Sequence, residues 1–167
     1  MNKTKITFLF LAFVLPVGIF VFLKLFGRNE FDVPPLYVHD APPKLSGCVA
    51  ASHPYHVPDS IRASYTSAND SLTIIYFQPL TSEGLNQLDR VREQTAHDPV
   101  RLTAGELSTA SAVVDSASVR RCAFFLDGAV NVVMIDKRGL IRGQYTADDR
   151  EEIDRLLTEV TILLKKY

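Results

Sequence analysis

From Asn131 to Leu164 the chain spells out a strand, a tight turn, a second strand and an amphipathic helix without a gap, and few folds accommodate that run. Val130, Val132, Val133, Met134 and Ile135 are apolar and mostly β-branched, the composition of a strand covered on both faces. Asp136, Lys137, Arg138 and Gly139 then supply turn chemistry, with Gly139 free to take a positive φ. In the next strand Ile141, Gly143 and Tyr145 fall on one face and Leu140, Arg142 and Gln144 on the other, as in a hairpin partner nearer the sheet edge. A helix follows at once. Thr146 stands at its N-cap with Asp149 in capping-box position, Asp148, Glu151 and Glu152 place negative charge at the positive end of the helix dipole, and Lys165 and Lys166 close the other end. Ile153, Leu156, Leu157, Val160 and Leu164 recur at helical spacing, so one face must lie on the sheet while Arg155 and Glu159 face water.

Upstream, Ile61 to Tyr65 and Leu72 to Phe77 read as two strands separated by a polar turn holding Asn69 and Asp70. Leu85, Leu88 and Val91 mark the inward face of a helix capped by Thr81 or Ser82 and ended by His97, Asp98 and Pro99. Val100 to Thr103 reads as a short strand and Glu106 to Val114 as a short helix. Ser116 to Ala129 is apolar around Cys122, Ala123, Phe124, Phe125 and Leu126, and its period separates neither helix from strand. The core order is strand, helix, strand, helix, strand, strand, helix, with parallel crossovers first and a hairpin last. That order predicts an α/β, thioredoxin-like domain over residues 60–167.

The stretch from Val132 to Tyr145, through Asp136, Lys137, Arg138 and Gly139, resembles the Sco/SenC family in the forms found in Bacteroidetes-type bacteria, as does Asn29, Glu30, Phe31, Asp32, Val33, Pro34. The resemblance implies a thioredoxin-like protein tethered to a membrane that helps assemble the copper site of cytochrome oxidase. Family members that bind copper or exchange disulfides carry a Cys-x-x-x-Cys pair after the first core strand and a histidine before the late hairpin. Here the loop after Phe77 reads Gln78, Pro79, Leu80, Thr81, Ser82, and Asn131 occupies the region of the histidine. Thiol exchange and Cu(I) binding both need a thiolate, so the expected role is non-catalytic: a binding or assembly factor with no cofactor, working with a membrane or respiratory-complex protein.

Ahead of the domain, Ile6 to Leu23 is uncharged and long enough for a bilayer span of roughly 20 residues, with Pro16 near its middle. Residues 1–28 are expected to form one N-terminal transmembrane helix, a signal-anchor contacting the membrane through Ile6 to Phe26 and placing the domain on the extracytoplasmic, periplasmic side. A cleaved signal peptide with Lys3 and Lys5 as its basic region is the rival, opposed by the length of the run and by the absence of a small-x-small site. Residues 29–59, with Pro34, Pro35, Pro42, Pro43, Pro54 and Pro58, read as an extended stalk. All 19 acids lie beyond Gly27, whereas Lys3, Lys5, Lys24 and Arg28 account for four of the 18 bases. A mildly acidic domain leaves no electrostatic footprint for nucleic acid.

Two alternatives use the remaining chemistry-bearing residues. His39, Cys48, His53 and His56 could gather copper or zinc, though their spacing is irregular and a stalk offers little preorganisation. Cys48 and Cys122 could instead act as a distant pair in a thiol oxidoreductase. Their bland readings are a structural disulfide, which an oxidising compartment would favour, or two free buried thiols. Tyr55 is expected to hold the stalk to the domain, and Asp136, Lys137 and Arg138 to form a solvated turn.

Overall fold

The computed structural model describes residues 3–26, 32–106 and 115–165. The chain divides into two units, Met1–Asp32 and Val33–Tyr167. In the first, helix α1 (Lys3–Phe26) contains Pro16 and exposes Phe10, Phe13, Leu15 and Phe20. Over its described residues no helix is long and apolar enough to cross a membrane. This corrects the transmembrane, signal-anchor expectation for Ile6 to Phe26.

The second unit is an α/β domain. Strands β1 (Leu72–Tyr76), β2 (Val100–Ala104), β3 (Val132–Asp136) and β4 (Ile141–Tyr145) form one mixed sheet in the order β2-β1-β3-β4. β1 runs parallel to β2 and antiparallel to β3, and β3 runs antiparallel to β4. Helices α3 (Ser82–Gln94) and α5 (Arg150–Leu164) supply Leu88, Val91, Ile153, Leu156, Val160 and Leu163 to a core that also takes Leu72, Ile74, Val132, Met134 and Tyr145. Ile75, Phe77, Val133, Ile135 and Ile141 belong to a separate core, closed by Tyr55, Val57, Tyr65 and the 119–126 segment. Burying each such side chain contributes roughly 1.5–3 kcal/mol, so the sheet is held by apolar cover on two sides.

Three local expectations change. Ile61 to Tyr65 is not a strand: helix α2 (Asp59–Tyr65) begins after Pro58, whose ring suits a helix entrance, and points Tyr65 into the core. The face shared by Ile141, Gly143 and Tyr145 is broken by a bulge at Arg142, since Ile141 pairs with Ile135 and Gly143 with Met134. Ile141 therefore joins one core and Tyr145 the other. The cap of α5 is Asp149, whose carboxylate accepts from Glu151 N at 2.9 Å, rather than Thr146. Between β2 and β3, a short turn α4 (Ser116–Ser118) runs into a π-helical turn at Val119–Ala123. The helix expected over Glu106 to Val114 lies outside the described residues beyond Glu106.

From Val33 onward the segment read as a stalk lies against the domain. Leu36 N donates to Ile141 O at 2.8 Å, Val57 N to Gly139 O at 2.9 Å, and Arg142 Nη1 to Val33 O at 3.0 Å. Tyr55 sits as expected, with its hydroxyl donating to Ala123 O at 2.8 Å and its ring edge-on to Phe125, centroids 4.7 Å apart. Tyr37 meets the same ring at 5.3 Å. Tyr37 and Phe125 both adopt positive φ, 60° and 54°, an uncommon conformation for bulky residues that this packing holds in place.

Candidate functional site

The loop after β1, where thiol chemistry would be expected, is closed by its own hydrogen bonds. Gln78 Oε1 accepts from Leu80 N at 3.0 Å across a cis Gln78-Pro79 peptide. Thr81 caps α3 by accepting from Gly84 N at 3.1 Å, and its hydroxyl donates to Asp148 Oδ1 at 2.5 Å, tying this loop to the residues before α5. A Cβ on Gly84 would run into that same carboxylate, so the two helix entrances are fitted to each other.

Asn131 fastens the opposite side of this region. It is buried; its carbonyl accepts from Phe77 N at 2.8 Å, its N donates to Tyr145 O at 3.1 Å, and its side-chain oxygen accepts from Ala147 N at 2.8 Å. One residue thus joins the ends of β1, β3 and β4 to the approach of α5. The structural duty of Asn131 was not legible from its position in the sequence.

Cys48 and Cys122 form a disulfide with S–S 1.94 Å and Cα atoms 5.3 Å apart, inside the limit of about 7 Å for a bridge. Both sulfurs are engaged with each other, which removes Cys48 from the proposed stalk metal set. His39, His53 and His56 are exposed, and among the described residues no group of three or more His, Cys, Asp or Glu side chains is arranged to hold a metal. The bridge pins the 45–55 segment beside the Tyr37, Tyr55 and Phe125 cluster.

The Asp136 turn is the other correction. Asp136 is 1% exposed; its Oδ1 accepts from Arg138 N at 2.9 Å and Leu140 N at 3.0 Å, and its Oδ2 lies 3.2 Å from Nε of the buried Arg142. Only Lys137 and Arg138 keep the expected exposure. Burial also governs the tyrosines: it pushes the Tyr55 and Tyr65 hydroxyls up to about 12. Tyr145 is raised by burial first and then by its 2.6 Å hydrogen bond to Glu159.

Beyond the C-terminal ends of β1 and β2 lies a cleft of about 370 Å³, walled by Phe77 and Leu126 and edged by Gln78, Arg120, Arg121 and Asp127. Open α/β sheets commonly take ligands at this end of their strands. No family model and no curated protein sequence matches the chain.

Proposed function

We propose that the protein is a redox-inactive, thioredoxin-like relative of the Sco/SenC family, acting as a non-catalytic binding or assembly factor in an oxidising, extracytoplasmic compartment, with respiratory-oxidase biogenesis as its setting. The observation that carries this reading is the loop after β1: Gln78, Pro79, Leu80 and Thr81 supply neither thiolate nor imidazole, and their polar groups are engaged within the loop and with Asp148. Both cysteines are joined elsewhere, on the 45–55 segment and the π-helical turn. A half-buried disulfide of this kind supports an oxidising compartment, where such bridges persist. Of the family's copper-binding and thiol-exchange residues, none has a counterpart here.

The full-length chain, purified with its disulfide intact, is expected neither to reduce insulin disulfides nor to retain stoichiometric copper through desalting. Turnover in the first assay or a one-to-one copper complex in the second would overturn the non-catalytic reading.

A further inference from the structure

The two edges of the sheet differ in cover. Beside β4 the segment from Val33 onward supplies backbone partners, as in the bond from Leu36 N to Ile141 O. β2 forms the other edge. Leu72 N donates to Pro99 O at 3.3 Å and Gly105 N to Tyr76 O at 2.7 Å, and in the parallel register Ile74 lies opposite Leu102. The peptide groups of the odd-numbered residues in β2 therefore face β1, and those of Val100, Leu102 and Ala104 face away from it. Val100 N turns back onto Asp98 O at 2.7 Å, but among the described residues no backbone group pairs with the outward groups of Leu102 or Ala104. The side chains of Val100, Leu102 and Ala104 share one face of the strand and are only partly buried, whereas Leu72 and Ile74 on β1 are fully buried. Sheet edges are commonly blunted by charge. Here the single charged residue of β2, Arg101, has its Nε 2.5 Å from Asp70 Oδ2.

We infer that β2 pairs with β2 of a second copy of this chain, antiparallel about a two-fold axis at Leu102, so that two sheets become one. In this register Leu102 exchanges both backbone bonds with its counterpart, and at either end Ala104 N donates to the carbonyl of the partner's Val100. The apolar rows of the two strands then lie side by side on one face and cover each other. Charge selects this register over its neighbour. Centred on Leu102, Arg101 stands opposite the partner's Thr103, whereas a slip that sets Val100 against the partner's Leu102 brings the two Arg101 side chains face to face. A second copy thus fits the edge in backbone phase, in apolar cover and in charge. Contact through one five-residue strand is small, so the pair is weak and reversible. The inference does not rest on the family reading, and the insulin and copper assays leave it untouched.

The test is amide hydrogen exchange of the full chain at rising protein concentration, with sedimentation velocity on the same samples. Leu102 and Ala104 are expected to exchange about tenfold or more slowly in concentrated than in dilute samples, in step with dimer formation, while Arg101 and Thr103, whose amides face β1, are protected throughout. Thr103→Arg, which sets a like charge against the partner's Arg101, should weaken the pair by about threefold to tenfold, and Thr103→Glu should tighten it. A chain that stays monomeric, or that associates through α1 without slowing exchange at Leu102 and Ala104, overturns the inference. Protection of those two amides at every concentration also overturns it, because the edge would then be covered within one chain. So does a folded Thr103→Arg variant that dimerises as well as the unaltered protein, or a Thr103→Glu variant that dimerises less.

Discussion

Asp136 shows how a single charge can serve a fold from inside it. Its carboxylate closes the turn through two backbone donors and holds Arg142, whose Nη1 in turn reaches Val33 O. Asp136→Asn keeps the shape but leaves the buried guanidinium short of its counter-charge, and should cost about 3 kcal/mol, read as a lower denaturant midpoint at unchanged slope. Gly105 is a second sensitive position, because a Cβ there would enter the space of the Phe77 ring while Gly105 O accepts the Tyr65 hydroxyl at 2.8 Å. Gly105→Ala should destabilise by about 1–3 kcal/mol. The tyrosines give a pH signature: with the Tyr55 and Tyr65 hydroxyls raised to about 12 in the fold, the unfolded chain ionises first. Their contribution is whole below about pH 10, the unfolded value, and is lost as pH rises through 12. An absorbance titration should show these phenols ionising late, together with loss of near-ultraviolet ellipticity; early ionisation in a folded protein would contradict their burial. None of these residues announces itself in the sequence, since Asp-Lys-Arg-Gly looks like any solvated turn until the bulge beside it is known.

At the scale of elements, the sequence was most legible where apolar period and length agreed. Leu72 to Phe77, Val100 to Thr103, the late hairpin and its helix were readable because β-branched runs and a helical stripe each have one good solution. The α2 segment was not, because Ile61 and Tyr65 alone fit either period and Pro58 at its entrance decides the matter. The bulge at Arg142 is equally silent: period-2 reading assigns faces correctly only while the register is unbroken. The α5 entrance was read three residues early, since Thr146 and Asp149 are both good caps and the backbone uses the second. Asp149→Ala should therefore cost about 1 kcal/mol, and Thr146→Ala appreciably less, in paired thermal melts.

For the whole molecule, the disulfide joins residues 74 positions apart and so encloses α2, β1, α3, β2 and α4. Cys122→Ser should lower stability by about 2–4 kcal/mol, mainly by releasing the unfolded chain, and leave Cys48 open to a thiol reagent. An unchanged melting temperature would show that the 45–55 segment is held by its aromatic contacts alone. The candidate cleft was invisible in the sequence, because its walls come from the end of β1 and from residues more than forty positions later in the chain. The cover laid along β4 has a consequence for assembly during synthesis. Val33 and Tyr37 find their partners Arg142 and Gln144 across 109 and 107 residues. Until the hairpin emerges from the ribosome those early residues lack their partners on β4, and contacts of such separation come late in folding. The first part of the domain to be made is the last that can be put in place, so a nascent chain halted before β4 would still present Tyr37 and its neighbours to chaperones and proteases.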